Sequence, residues 1–119
     1  MTDSLLKKKC VPCEGGISPL GHDRIKKLMS QVSGWSMGLM IDNGKMIETL
    51  QKRFQFKNFR EVMAFLREIE ELAETEGHHP DFCVHYNKID FTIWTHAISG
   101  LHENDFIMAA RINELMDGR

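Results

Sequence analysis

The residues of this chain best suited to chemistry gather in one stretch: Glu74, His78, His79, Pro80, Tyr86, His96 and Asp105. An unperturbed imidazole titrates near neutral pH, so three nearby histidines suit general acid and base work. Glu74 and His78 are four residues apart, but Gly77 is expected to end the helix between them, which leaves His78 and His79 in a loop. Pro80 restricts His79 to extended backbone and so aims the pair. Three imidazoles could also hold zinc. Here none is fixed on a helix at i, i+4, and adjacent side chains of an extended segment point apart. Proton transfer is therefore the expected chemistry, and no metal is expected.

The elements that must position these side chains are legible in the spacing of apolar residues. Residues 1–19, with Pro12, Gly15, Gly16 and Pro19, read as an irregular arm, and 20–119 as one domain. A helix is expected over 22–32, with Ile25, Leu28, Met29 and Val32 on one stripe, Gly21 as N-cap and Gly34 as terminator. A strand over 35–41 follows, with Trp35, Met37, Leu39 and Ile41 alternating. Asp42-Asn43-Gly44 then forms a hairpin turn. The next strand, 46–56, has Leu50, Phe54 and Phe56 on one face and Thr49, Gln51, Arg53 and Gln55 on the other. Asn58, with Glu61 three residues on, opens a helix over 59–76 whose stripe is Phe59, Val62, Met63, Leu66, Ile69 and Ala73. A second hairpin, 82–96, turns at Asn87-Lys88, so that His96 returns near His78 and His79. Gly100 breaks the chain before a last helix over 103–116. The fold class is α+β: a four-stranded antiparallel sheet made of two hairpins, with three helices packed on one face.

Composition narrows the function by exclusion. The chain has 119 residues, 15 Lys and Arg against 17 Asp and Glu, and a net charge of −2. That balance argues against a dedicated nucleic-acid or anionic-membrane surface. The longest near-apolar run, 37–41, is too short to cross a bilayer. Three cysteines make no disulfide framework and fit a reducing compartment, so a cytoplasmic protein is expected. Cys10 and Cys13 form a single CxxC without a second pair. His22, His85 and His102 are expected to be incidental. Trp35 and Trp94 are expected to pack, with Trp94 on the strand face of Asp90, Thr92 and His96, where it could cover the outer sheet face in an oligomer.

The run Glu74-x3-His78-His79-Pro80-x5-Tyr86-x9-His96-x8-Asp105 resembles the signature of the pterin-4a-carbinolamine dehydratase family. Cys10-Val-Pro-Cys13-Glu-Gly-Gly is similar to the N-terminal segment of its bacterial and plant members, and Tyr86-Asn87-Lys88 and Asp105-Phe106 are similar to family sequence too. The resemblance implies three helices on a four-stranded antiparallel sheet. It also implies a lyase that removes water from 4a-hydroxytetrahydropterin to give quinonoid dihydropterin, with no cofactor and no metal. In that role His78 and His96 would be the acid/base pair and His79 would bind and orient the pterin. Pro80, Thr95 and Ala97 would line the pocket, and Glu74 and Asp105 would support it. A homodimer or homotetramer and a functional link to an aromatic amino-acid hydroxylase are implied as well. The alternative is a non-catalytic pterin-binding protein or a coactivator that stabilises a transcription-factor dimer.

Overall fold

The computed structural model describes residues 5–11 and 18–119. Pro12, Cys13, Gly15 and Gly16 of the expected arm lie outside the described residues, and with Cys13 the CxxC reading does too. In chain order the elements are α1 (His22–Met29), β1 (Ser36–Asp42), β2 (Lys45–Gln55), α2 (Phe59–Glu76), β3 (Asp81–His85), β4 (Lys88–Ile93) and α3 (Glu103–Asp117). Short 3₁₀ turns occur at Leu5–Lys7 and His96–Ile98. The sheet order is β1-β2-β4-β3, with every neighbouring pair antiparallel. Two hairpins thus lie side by side under three helices, the architecture the sequence predicts. Among the described residues no helix is long and apolar enough to cross a membrane.

One core joins the layers. Leu50 and Phe54 of β2 and Ile89, Phe91 and Ile93 of β4 meet Ile25 and Leu28 of α1, Val62, Phe65 and Ile69 of α2, and Phe106 to Ala110 of α3. The rings of Trp35, Phe54, Phe65 and Phe91 pack with centroids 5.7 to 6.5 Å apart. On the opposite sheet face Arg53 holds Asp90 through two hydrogen bonds, of 2.6 and 2.9 Å.

Helix ends follow the expected chemistry. Asn58 accepts from the Glu61 N–H at 2.9 Å, and Gly77 closes α2 with φ 67°, a left-handed angle that favours glycine. The first hairpin turns through Asn43 (φ 50°) and Gly44 (φ 76°), as a two-residue primed turn requires.

Several boundaries differ from the sequence reading. α1 ends at Met29, and Val32 stays buried from the turn that follows. The second hairpin turns at Tyr86-Asn87, not Asn87-Lys88, because Lys88 pairs with His85. The buried stripe of α2 is Val62, Phe65, Ile69 and Ala73, while Phe59 and Met63 are exposed. Both stripes have helical spacing, and the phenylalanine that meets the sheet is Phe65. In β1, Leu39 and Ile41 are 63 % and 68 % exposed. β4 pairs β2 only over Leu50 to Gln55, so the tip of the first hairpin projects beyond the layer that would cover it.

The arm contributes to the core. Leu5 is 1 % exposed and packs in the main cluster. Leu5→Ala should therefore cost about 2–4 kcal/mol of stability by urea unfolding. An unchanged midpoint would show that the arm does not pack as described.

Candidate functional site

The site is organised by the first turn of α3. His102 is the N-cap: its Nδ1 accepts from the Asn104 N–H at 3.0 Å. Asp105 completes a capping box by accepting from the His102 N–H at 2.8 Å. His102 is thus a structural residue, not an incidental one. An imidazole nitrogen serves where a serine or threonine oxygen is the commoner cap.

The Asp105 carboxylate is 0 % exposed and has two further partners. Its Oδ2 also accepts from the Thr95 hydroxyl at 2.9 Å, and its Oδ1 lies 2.6 Å from Nε2 of His78. A carboxylate that only accepts makes Nε2 the N–H of the His78 ring and leaves Nδ1 as its other nitrogen. His78 itself is placed by the end of α2, where its backbone N–H reaches the Ala73 carbonyl at 3.3 Å. Next along the chain, Nε2 of His79 lies 2.6 Å from Oε2 of Glu74 in the last turn of α2. His79 and Glu74 are both exposed, unlike the neighbouring His78–Asp105 pair.

His96 is held differently. β4 ends at Ile93, so His96 is not a strand-end residue as expected but opens the 3₁₀ turn that follows. The chain leaves the sheet because Thr95 and Gly100 form an isolated antiparallel bridge around a tight loop. Gly100 must be small there: a Cβ would sit 2.7 Å from Cβ of Pro19. Trp94 is buried, and its Nε1 donates to Asp81 Oδ2 at 3.3 Å. Asp81 stands opposite Thr92 in the sheet, so the indole stays beside the face of Thr92 and Asp90. The His96 ring stacks on it, with centroids 3.7 Å apart and planes 26° apart.

These pieces surround one cavity of about 370 Å³. His78, His79 and His96 all line it, together with Thr95, Ala97, Asp81 and Trp94. Pro80, expected beside them, is buried and lines a neighbouring apolar groove of about 610 Å³ with Glu74 and Phe82. His79 borders both spaces. Asp105 stands behind the wall. Among the described residues no three His, Cys, Asp or Glu side chains cluster as a metal site. Sequence reasoning did not find Trp94, Asp81, Val11 or Asn104 as lining residues. The spacing of Trp94 and His96 is visible in the sequence, but the end of strand alternation at Ile93 is not.

A cavity with one histidine on a buried carboxylate, one on an exposed carboxylate and one on an indole can give and take protons on a small polar ligand. Asp105→Ala should orphan the Thr95 hydroxyl and the His102 N–H and cost about 2–4 kcal/mol in urea unfolding. Asp105→Asn keeps an acceptor oxygen and should cost less. Equal losses for the two would contradict this account.

Comparison with known proteins points to one family. The family model described as pterin 4 alpha carbinolamine dehydratase matches residues 18–115. A protein of Rubrobacter xylanophilus is 40 % identical over 111 residues, covering 93 % of this chain and 97 % of its own. One of Nitrosospira multiformis is 43 % identical over 113 residues, covering 95 % and 93 %. Both are named, provisionally, pterin-4-alpha-carbinolamine dehydratase. A solved structure from Brucella melitensis, titled transcriptional coactivator/pterin dehydratase, matches with a TM-score of 0.69 at 28 % identity. That match covers 82 % of this chain and 98 % of the other.

Proposed function

The chain belongs to the pterin 4 alpha carbinolamine dehydratase family, and we propose that it eliminates water from 4a-hydroxytetrahydropterin to give quinonoid dihydropterin. One observation carries this reading: three histidines far apart in sequence, His78, His79 and His96, line a single cavity.

The reaction asks for two proton transfers. The 4a-hydroxyl leaves as water only if it is protonated, and a ring nitrogen must give up a proton as the new double bond forms. His78, with Nε2 turned to Asp105, presents Nδ1 as the base, the arrangement by which a buried carboxylate orients a catalytic imidazole. His96 is the acid. Among the described residues no carboxylate pairs with it, and it is solvent-exposed, so it can be reprotonated after each turnover. His79, held by Glu74, binds and orients the pterin. Thr95 and Ala97 complete the wall, and Pro80 fixes the direction of His79 from the adjoining groove. No cofactor takes part in these steps. In this role the protein would recycle the pterin of an aromatic amino-acid hydroxylase. Self-association as a homodimer or homotetramer belongs to the same reading and is supported by the free edges of β1 and β3.

The test is dehydration of chemically generated 4a-hydroxytetrahydropterin. Wild type should accelerate it well beyond buffer. His78→Ala and His96→Ala should each lower kcat by about 10²-fold or more, with circular dichroism unchanged. His79→Ala should act mainly on KM. No acceleration by folded wild type would sink the reading and favour a non-catalytic role, such as the coactivator role that the Brucella neighbour's title also names.

A further inference from the structure

The N-terminal arm reaches the histidine cavity at Val11, which lines it together with Asn104. The two are latched in both directions. The Val11 N–H donates to Asn104 Oδ1 at 3.0 Å, and Asn104 Nδ2 donates to the Val11 carbonyl at 2.6 Å. Asn104 is only 2 % exposed, so its polar amide is buried to make these two bonds. The adjacent arm residues are tied down as well. The Cys10 N–H donates to Oε1 of Glu76 at 2.8 Å, Arg111 Nη2 donates to the Lys8 carbonyl at 2.9 Å, and Lys8 Nζ reaches the Glu103 carboxylate at 3.1 Å. Glu76 ends α2, and Glu103 and Asn104 begin α3. The arm is thus fastened to the two helix ends that flank the cavity. Asn104 holds it from the residue next to Asp105, which holds His78.

We propose that residues 8–11 are a strap that sets Val11 into the wall of the histidine cavity, and that Asn104 is the positioning residue that latches it. Releasing the strap weakens pterin binding and leaves proton transfer intact. This inference rests on the dehydratase reading of the same cavity.

Cys10 supplies a readout independent of turnover. Its Sγ faces the Asn104 carbonyl at 3.6 Å. Burial, with the Glu76 carboxylate beside it, pushes the thiol up to about 12. Thiols react as thiolates, so a latched Cys10 alkylates slowly, and a released one returns toward the ordinary ~8.5. Cys83, exposed on β3, is an internal reference.

The experiment compares wild type, Asn104→Ala and Val11→Pro by steady-state dehydration and by iodoacetamide labelling at pH 8 read by peptide mass. Val11→Pro removes one latch donor from a residue that is 57 % exposed, so it tests the strap even if Asn104→Ala fails to fold. Asn104→Ala should raise KM about tenfold, as expected for two lost hydrogen bonds, and Val11→Pro about fivefold, as expected for one, each with kcat within ~2-fold of wild type. Cys10 labelling should speed up by more than ~10-fold relative to Cys83. A wild-type KM, a loss confined to kcat, or unchanged Cys10 labelling in the folded variants would overturn the strap. If folded wild type turns nothing over, it is the dehydratase reading that fails. The strap is then judged on labelling and on equilibrium binding of 7,8-dihydrobiopterin, which both variants should weaken if it stands.

Discussion

The Asp105 carboxylate is the constraint around which the site is arranged. A carboxylate taken wholly out of water costs several kcal/mol unless donors replace the lost hydration. Asp105 has three: the His102 N–H, the Thr95 hydroxyl and the His78 ring. Each comes from a different part of the chain: the start of α3, the segment leaving β4, and the loop leaving α2. Satisfying one buried charge therefore fixes three segments relative to one another. It also fixes which nitrogen of His78 is left over.

The other two histidines are held by weaker means. His79 and Glu74 form an exposed pair in which solvent competes for both partners. His96 rests on the face of Trp94, a contact that sets the plane of the ring, and among the described residues no hydrogen bond engages its nitrogens. The cavity thus combines one rigid imidazole with two that solvent can reach. That division suits a reaction in which one proton is taken in a fixed geometry and another must be resupplied from water at each cycle.

Much of this was legible in the sequence. Apolar periodicity gave the order of elements, Asn58 and Gly77 marked the ends of α2, and Asn43-Gly44 marked the first turn, because each of these signals is local. The spacing of Glu74, His78, His79 and His96 was legible too, and the structure brings the three histidines to one cavity. What escaped depended on contacts that residue type and spacing do not announce. Trp94 and His96 read as one alternating strand because nothing local announces the bridge between Thr95 and Gly100. His102 looked incidental because a histidine cap is recognised only once its Asn104 contact is visible. The exposure of Leu39 and Ile41 could not be read from alternation, which says that a face is apolar but not that anything covers it.

The turn that carries Asp105 has little freedom to adjust. Asn104 to Ala110 are buried without interruption, which is almost two turns of α3 with no solvent-facing side. A surface helix shows one buried stripe, and a helix buried all round is clamped from every direction. Shifting the start of α3 would have to move Phe106, Ile107 and Met108 against the sheet and the other helices, so its polar first turn inherits the rigidity of the core. A proton-transfer site gains from such support, because its groups must already stand in place when the charge moves. In the proposed reaction the apolar residues after Asp105 therefore serve as directly as the histidines, by denying the carboxylate any other position.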